Sequence, residues 1–227
     1  MIVLAIDTAS PAPAVALADE ASVFEESLPS DRTASEDLLP AIERVLAASG
    51  RTLASCQRIA VCSGPGSFTG LRVGLATAWG LARVLHCPVE SVSTLEAMAE
   101  AARRAWGASG KPEAGSGNEQ PLREVLAVLD AGRGEVSAAA YALPPERARE
   151  VAPLRRLPLE EVASFAGGRV RVALPAALVP GAVAPVGSPA RALALAVSRT
   201  PGPDATVLSP IYSRKSAAEE KHGAAPA

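Results

Sequence analysis

The stretch Ser63-Gly64-Pro65-Gly66-Ser67-Phe68-Thr69-Gly70-Leu71-Arg72 carries the densest chemical signal in the chain. It follows the apolar strand pattern Ile59-Ala60-Val61-Cys62 and opens a helix. Its glycines let the backbone come close to a phosphate, a neighbouring helix or a partner chain. No Gly-Lys-Ser/Thr follows at the interval a Walker A loop needs. The glycine interval is also wrong for a dinucleotide fingerprint, and no acidic residue is placed to receive a ribose. Ser67 and Thr69 are candidate caps for the helix.

Asp7-Thr8 forms the second candidate, at the end of the strand Ile2 to Ile6. A carboxylate there could hold a metal-bound nucleotide while the hydroxyl and turn amides face phosphate. The competing reading is a strand-end turn in which Asp7 accepts backbone N–H groups. Pro11 and Pro13 favour that turn, because each removes an N–H from the loop. Asp7, Thr8, Gly64, Gly66 and Ser67 together make a candidate vestigial phosphate or nucleotide loop.

Other catalytic arrangements find little support. The two histidines, His86 and His222, cannot supply the three or four ligands of a zinc site. His86 reads as a helix C-terminal residue. Neither a Ser/His/Asp nor a Cys/His constellation is apparent. Glu96 and Glu100, one helical turn apart, read as exposed surface.

These residues need a scaffold, and its pattern is legible. Three short strands, Ile2 to Ile6, Ala14 to Ala18 and Ser22 to Leu28, suggest an antiparallel meander. A helix follows from about residue 35 to 49, with Leu38, Ile42, Val45, Leu46 and Ser49 on one face and Leu39 beside them. Strand 59–62, helix 70–85, strand 88–92 and helix 93–105 continue an α/β pattern with parallel pairing. Residues 107–121 hold four Gly and two Pro without periodicity, and read as a linker or insertion. A hairpin then runs through Val125 to Asp130 and Glu135 to Ala142, turning at Ala131 to Gly134. A third strand at 151–157, a short helix at 159–165, a strand at 170–174 and a helix at 189–198 complete the second part.

The expected organisation is an α/β, two-lobed chain. Residues 1–106 form the first lobe, 107–121 the linker, 122–212 a smaller second lobe, and 213–227 a disordered tail. Gly70, Gly74, Ala78 and Ala82 repeat every fourth residue on one helix face. Small side chains in register admit close packing, either within the monomer or across a subunit interface.

Composition narrows the class. The chain has 227 residues, 48 % of them hydrophobic but only 3 % aromatic, so the core must be built from Ala, Val and Leu. A net charge of −2 without a dense Lys/Arg run argues against strong unaided nucleic-acid binding. Three cysteines without a C-x-x-C argue for a reducing compartment. No basic leader and no run of about 20 apolar residues is present, so the expectation is a cytoplasmic protein without a membrane partner.

With these residues assembled, the chain resembles the bacterial TsaB (YeaZ) family. The matching segments are Ile6-Asp7-Thr8, Leu38-Leu39-Pro40-Ala41-Ile42, Ser63 to Ala76 and Val92 to Met98. Leu129 to Val136 also matches, and Pro210 to Arg214 matches more loosely. The resemblance implies an actin-like fold, of sugar-kinase and Hsp70 ATPase architecture, with a degenerate second lobe. It implies a non-catalytic scaffold subunit in the making of threonylcarbamoyladenosine in tRNA. The expected partners are the catalytic paralogue TsaD and the small ATPase TsaE, with a homodimer in isolation and tRNA reached only through the complex.

TsaD holds its metal through two histidines at the start of the third helix, where this chain has Thr94 and Met98. A hydroxyl and a thioether cannot replace paired imidazoles. No catalytic residue, metal or cofactor of the chain's own is therefore expected, save a candidate nucleotide at the interface shared with the paralogue. The expected partner surface comprises Leu39, Ile42, Leu46, Gly70, Gly74, Ala78 and Trp79. The family often has a histidine early in the first helix, where this chain has Ala34. The alternative is an ATP-dependent phosphotransferase of the same fold, with Gly167-Gly168 as the only adjacent glycine pair to serve the adenine.

Overall fold

A computed structural model describes residues 1–29, 34–107 and 124–212. Strands β1 (Val3–Asp7), β2 (Ala14–Ala18) and β3 (Val23–Ser27) form the expected meander. Helix α1 (Ala34–Ser49), strand β4 (Arg58–Cys62), helix α2 (Phe68–Leu85), strand β5 (Val89–Val92) and helix α3 (Thr94–Gly107) follow. The sheet order is β3-β2-β1-β4-β5, with β4 parallel to both β1 and β5.

Strand β1 is central and buried along its whole length, which is why it reads as an unbroken apolar run. Its alternate side chains serve two cores. Leu4 and Ile6 join Val15, Leu17, Ile59 and Val61 beneath α1 and α2. Val3 and Ala5 point the other way, with Ala14, Ala16 and Ala60. That second face is mostly alanine, and a helix can approach such a face closely.

The second sheet contains β6 (Glu124–Gly132), β7 (Glu135–Ala142), β8 (Arg149–Pro158) and β9 (Val170–Leu174), in the order β8-β7-β6-β9. Arg133 and Gly134 make the hairpin turn between β6 and β7, both with positive φ (59° and 78°), as a two-residue turn of this hand requires. Short helix α4 (Val162–Ala166) covers one face with Leu126, Val128 and Ala138. The other face receives α3 through Leu95, Met98 and Ala102, packed with Val125, Leu129 and Tyr141.

The boundary at 122 needs correction for the last helix. Helix α5 (Pro189–Arg199) packs through Ala190, Leu193, Ala194 and Val197 on the alanine face of the first sheet. Residues 200–212 stay with that sheet as well. The Ala205 N–H donates to the Val89 carbonyl, and the Ile211 N–H donates to the Ser63 carbonyl. This segment covers the outer edge of β5, which would otherwise expose unpaired backbone groups. Chain order alone assigned it to the wrong lobe. The linker expectation at 107–121, apart from residue 107, and the tail expectation at 213–227 lie outside the described residues.

Glu96 and Glu100 also depart from the surface reading. Glu100 is 1 % exposed and Glu90 of β5 is 2 % exposed. Arg147, in the β7–β8 connection, reaches Glu90 at 2.5 Å and Glu96 at 2.9 Å. Arg58 stands 3.6 Å from Glu90. Arg103 pairs with Glu100 at 2.9 Å, and Glu100 also accepts the Ala148 N–H. The two sheets are thus joined by a buried ion-pair network. Burial opposes the charge on Arg147, but Glu96 and Glu90 more than offset it and raise its pKa.

Candidate functional site

The structure brings Asp7, Thr8 and the glycine loop together and closes them on each other. Asp7 ends β1 with its carboxylate Oδ1 accepting the Ala9 and Ser10 N–H groups at 3.0 and 3.1 Å. The strand-end turn therefore has the Asx form expected of a short acidic side chain. The Thr8 hydroxyl donates to the Gly70 carbonyl at 2.7 Å, and the Ser67 N–H donates to the Ala9 carbonyl at 2.8 Å. Ser67 Oγ accepts the Gly70 N–H at 3.2 Å, which makes Ser67 the cap and starts α2 at Phe68.

The glycines explain how close this seal is. A Cβ added at Gly70 would fall on the Thr8 carbonyl oxygen, and one at Gly74 on Thr8 Oγ1. At Gly66 it would strike the Ala9 carbonyl. Gly64 has φ +108°, and a Cβ there would lie 2.5 Å from the Ile211 carbonyl oxygen. What the glycines approach is their own chain: the turn after β1 on one side and the C-terminal segment on the other.

This placement corrects the expected partner surface. Gly70, Gly74 and Ala78 are buried and face inward. Ile42 and Leu46 are 3 % and 8 % exposed and belong to the core beneath α1 and α2. Leu39 and Trp79 remain outside, 56 % and 38 % exposed. The sequence stripe was real, but the closest neighbour of its first two glycines is Thr8, a contact 62 residues away in the chain at Gly70. Trp79 lines an open groove of about 590 Å³ with Arg83, His86, Cys87 and Asp204.

Asp7 is fully buried, and its Oδ2 has no hydrogen-bond partner among the described residues. Burial raises its pKa, and the Ser10 side chain with the Ala9 and Ser10 N–H groups pulls it part of the way back. A carboxyl with a raised folded pKa binds its proton more tightly in the native state. Its contribution to stability is present below the unfolded value of 3.8 and is lost as pH rises through the folded value. Asp7→Asn keeps an acceptor for both amides and removes the buried charge. Its urea midpoint should exceed that of the parent at pH 7, and the gap should close as pH falls toward 4. A variant that is less stable at pH 7 would show that the charge is needed where it sits.

Thr94 and Met98 are buried at the start of α3. Met98 packs in the core shared with the second sheet, and Thr94 Oγ1 lacks a hydrogen-bond partner among the described residues. His86 terminates α2 in the left-handed conformation, with φ 51°. Gly167 and Gly168 close α4 with positive φ and turn the chain into β9, a helix-terminating role that accounts for the pair. The described residues contain no group of three or more His, Cys, Asp or Glu suited to a metal ion.

The strand order, the parallel β1-β4-β5 unit and the second β-sheet lobe define an actin-like α/β fold. Comparison with known proteins places it more narrowly. The family model described as "TsaD: tRNA N6-adenosine threonylcarbamoyltransferase" matches residues 29–167, more than half of the chain. The chain is 38 % identical over 141 residues to the Escherichia coli K12 "tRNA threonylcarbamoyladenosine biosynthesis protein TsaB", covering 62 % of this chain and 55 % of that protein. It is 41 % identical over 102 residues to the protein of the same name from Haemophilus influenzae, covering 45 % and 43 %. These alignments span about half the length of the curated relatives. The solved structure of YeaZ from Pseudomonas aeruginosa superposes with a TM-score of 0.72 at 28 % identity, over 93 % of this chain and 99 % of that one. The chain belongs to the family of the TsaD model and, within it, to the TsaB (YeaZ) group.

Proposed function

We propose that the chain is a non-catalytic scaffold subunit in threonylcarbamoyladenosine biosynthesis. It pairs with TsaD, is joined by TsaE, and enables transfer of a threonylcarbamoyl group to the adenosine beside the tRNA anticodon. The observation that supports this reading is that Thr94 and Met98, the positions the family resemblance aligns with TsaD's two metal-binding histidines, are buried at the start of α3 with Met98 packed in the core. The closure of the Asp7-Thr8 turn on the α2 N-terminus fits the same reading, because the Thr8 hydroxyl is already engaged with Gly70. Any nucleotide would sit at the interface with the paralogue. The place of action is the cytoplasm.

A tRNA modification assay with each subunit omitted in turn tests the proposal. Product should fall to background without this chain and also with this chain alone. Turnover by the purified chain alone would overturn it.

The partner surface is the exposed side of α1 and α2, with Leu39 and Trp79 as its apolar anchors. Truncation of an interface centre costs about 2 kcal/mol or more, roughly thirtyfold in affinity. Leu39→Glu and Trp79→Glu should each abolish co-purification with TsaD while leaving the melting temperature within a few degrees of the parent. Retained co-purification of both variants would place the interface elsewhere. Sedimentation of the chain alone should show a concentration-dependent dimer that Trp79→Glu removes.

A further inference from the structure

Two cysteines stand where the neighbouring strands β4 and β5 begin. Cys56 leads into β4 in extended conformation, with φ −69° and ψ 126°. Cys87 leads into β5, directly after His86 ends α2. The strands are parallel, with Ile59 paired to Val89 and the Ile59 N–H donating to the Pro88 carbonyl at 3.0 Å. Counting back along this register puts Cys87 beside Gln57, one residue from Cys56. At a strand spacing of about 4.8 Å and a rise of about 3.3 Å per residue, the two Cα atoms lie roughly 6 Å apart. A disulfide spans about 4.4–6.8 Å between Cα atoms.

The two side chains also share a face of the sheet. Cys56 belongs to the core beneath α1 and α2, and Cys87 packs against that same core. The third cysteine, Cys62, lies in the alanine-rich core on the other side. Access differs within the pair. Cys56 is 5 % exposed. Cys87 is half-buried and lines the open groove of about 590 Å³ beside Trp79, Arg83, His86 and Asp204. A small reagent reaches Cys87 from solvent, and Cys56 is reached from within the fold, through Cys87. Burial raises both thiols, Cys56 to about 11 with Cys87 adding to the rise. At neutral pH the pair therefore rests as two protonated thiols.

We propose that Cys56 and Cys87 are a modification site, a dithiol that closes to a disulfide when a low-molecular-weight disulfide of the glutathione type enters the groove. Cys87 gives its proton to solvent and attacks one sulfur of the reagent. A mixed disulfide forms at Cys87, and the first half of the reagent leaves as a thiolate that takes up a proton. Cys56 then loses its proton and attacks the Cys87 sulfur. The bond to the second half of the reagent breaks, and that half leaves as a second thiol. Two protein thiols are oxidised by two electrons, and one reagent disulfide is reduced to two thiols. The new bond ties the starts of β4 and β5 across the segment that holds α2, and a thiol reductant reverses it. The pair stands independently of the scaffold function proposed above.

The test uses the full chain in native buffer at mildly alkaline pH with oxidised glutathione, followed by alkylation and tryptic digestion without reduction. The three cysteines fall in separate tryptic peptides, 52–58, 59–72 and 84–103. Peptides 52–58 and 84–103 should be recovered joined, with 59–72 free. Cys56→Ala should stop at the mixed disulfide, with one glutathionyl group on 84–103. Cys62→Ala should join 52–58 to 84–103 as the parent does. The oxidised parent should melt about 5–10 °C above the reduced parent, because the bond closes a loop of about 30 residues. Dithiothreitol should abolish that gain.

A mixed disulfide that persists at Cys87 in the parent, with 52–58 unjoined, puts Cys56 out of reach and overturns the pair. Joining of either peptide to 59–72 overturns it too. So does a folded chain that stays unmodified while the chain in concentrated urea reacts fully, since both cysteines would then be apolar filling alone. A joined product that melts below the reduced chain shows a bond that the native register does not accommodate, and overturns the site as well.

Discussion

Gly70→Ala is expected to destabilise the isolated chain by about 2–4 kcal/mol, the range for overpacking combined with a broken buried hydrogen bond. The added methyl would occupy the position of the Thr8 carbonyl oxygen. The contact is backbone on one side and the first turn of a helix on the other, so no flexible side chain can yield. Relief requires α2 to lift from β1, which breaks the 2.7 Å hydrogen bond from Thr8 to the Gly70 carbonyl. Gly74→Glu should be worse, because its Cβ meets Thr8 Oγ1 and a carboxylate would then be buried near Ile6. That variant should be recovered unfolded or not at all. It therefore cannot serve as a selective probe of a partner surface, for which Leu39 and Trp79 are the usable positions. Denaturant unfolding of Gly70→Ala is the direct measurement. A midpoint equal to that of the parent would mean the turn after β1 and the α2 N-terminus are not rigidly held together.

The second large effect is expected at Arg147. Arg147→Met should cost about 3–5 kcal/mol, as removal of one member of a buried ion pair does. Glu90 would be left buried with Arg58 at 3.6 Å and the Gly202 N–H at 2.8 Å as its remaining partners. Glu96, whose pKa burial already raises, would lose the charge that partly offsets that rise. Adding Glu90→Gln to Arg147→Met should recover part of the loss, because the second substitution removes the charge stranded by the first. Single and double variants compared by urea unfolding give the coupling. A coupling near zero would show that the pair is screened.

Much of the fold was legible because its elements are written in local pattern. The apolar run of β1, the i, i+3, i+4 stripe of α1 and the turn residues of the β6–β7 hairpin each point to one local structure. Helices and strands were therefore placed to within a few residues. The ends shifted where caps decided them, as at Ser67, which starts α2 two residues before Gly70.

Partnerships across the fold were not legible. The periodicity of Gly70, Gly74 and Ala78 states that something packs closely, but a stripe of small residues is the same whether it meets a strand or another subunit. Glu96 and Glu100 looked like solvated acids because the Arg147 side chain that pairs with Glu96 and the Ala148 N–H that Glu100 accepts lie in a different lobe and are remote in sequence. Helix α5 and residues 200–212 follow the second sheet in the chain but return to the first, since the alanine face left by β1, β2 and β4 can be covered only by a helix with small side chains of its own.

By itself the sequence determined the α/β class, the order of the elements, the absence of paired imidazoles at 94 and 98, and the family resemblance. These are properties of residue type and short-range spacing. Only the tertiary structure decided that the glycines face Thr8 and Ala9, that Asp7 is buried with one oxygen unpaired among the described residues, and that Glu90 is shared by Arg58 and Arg147. Each of those depends on which distant segments share a space, and burial and charge compensation are properties of that space.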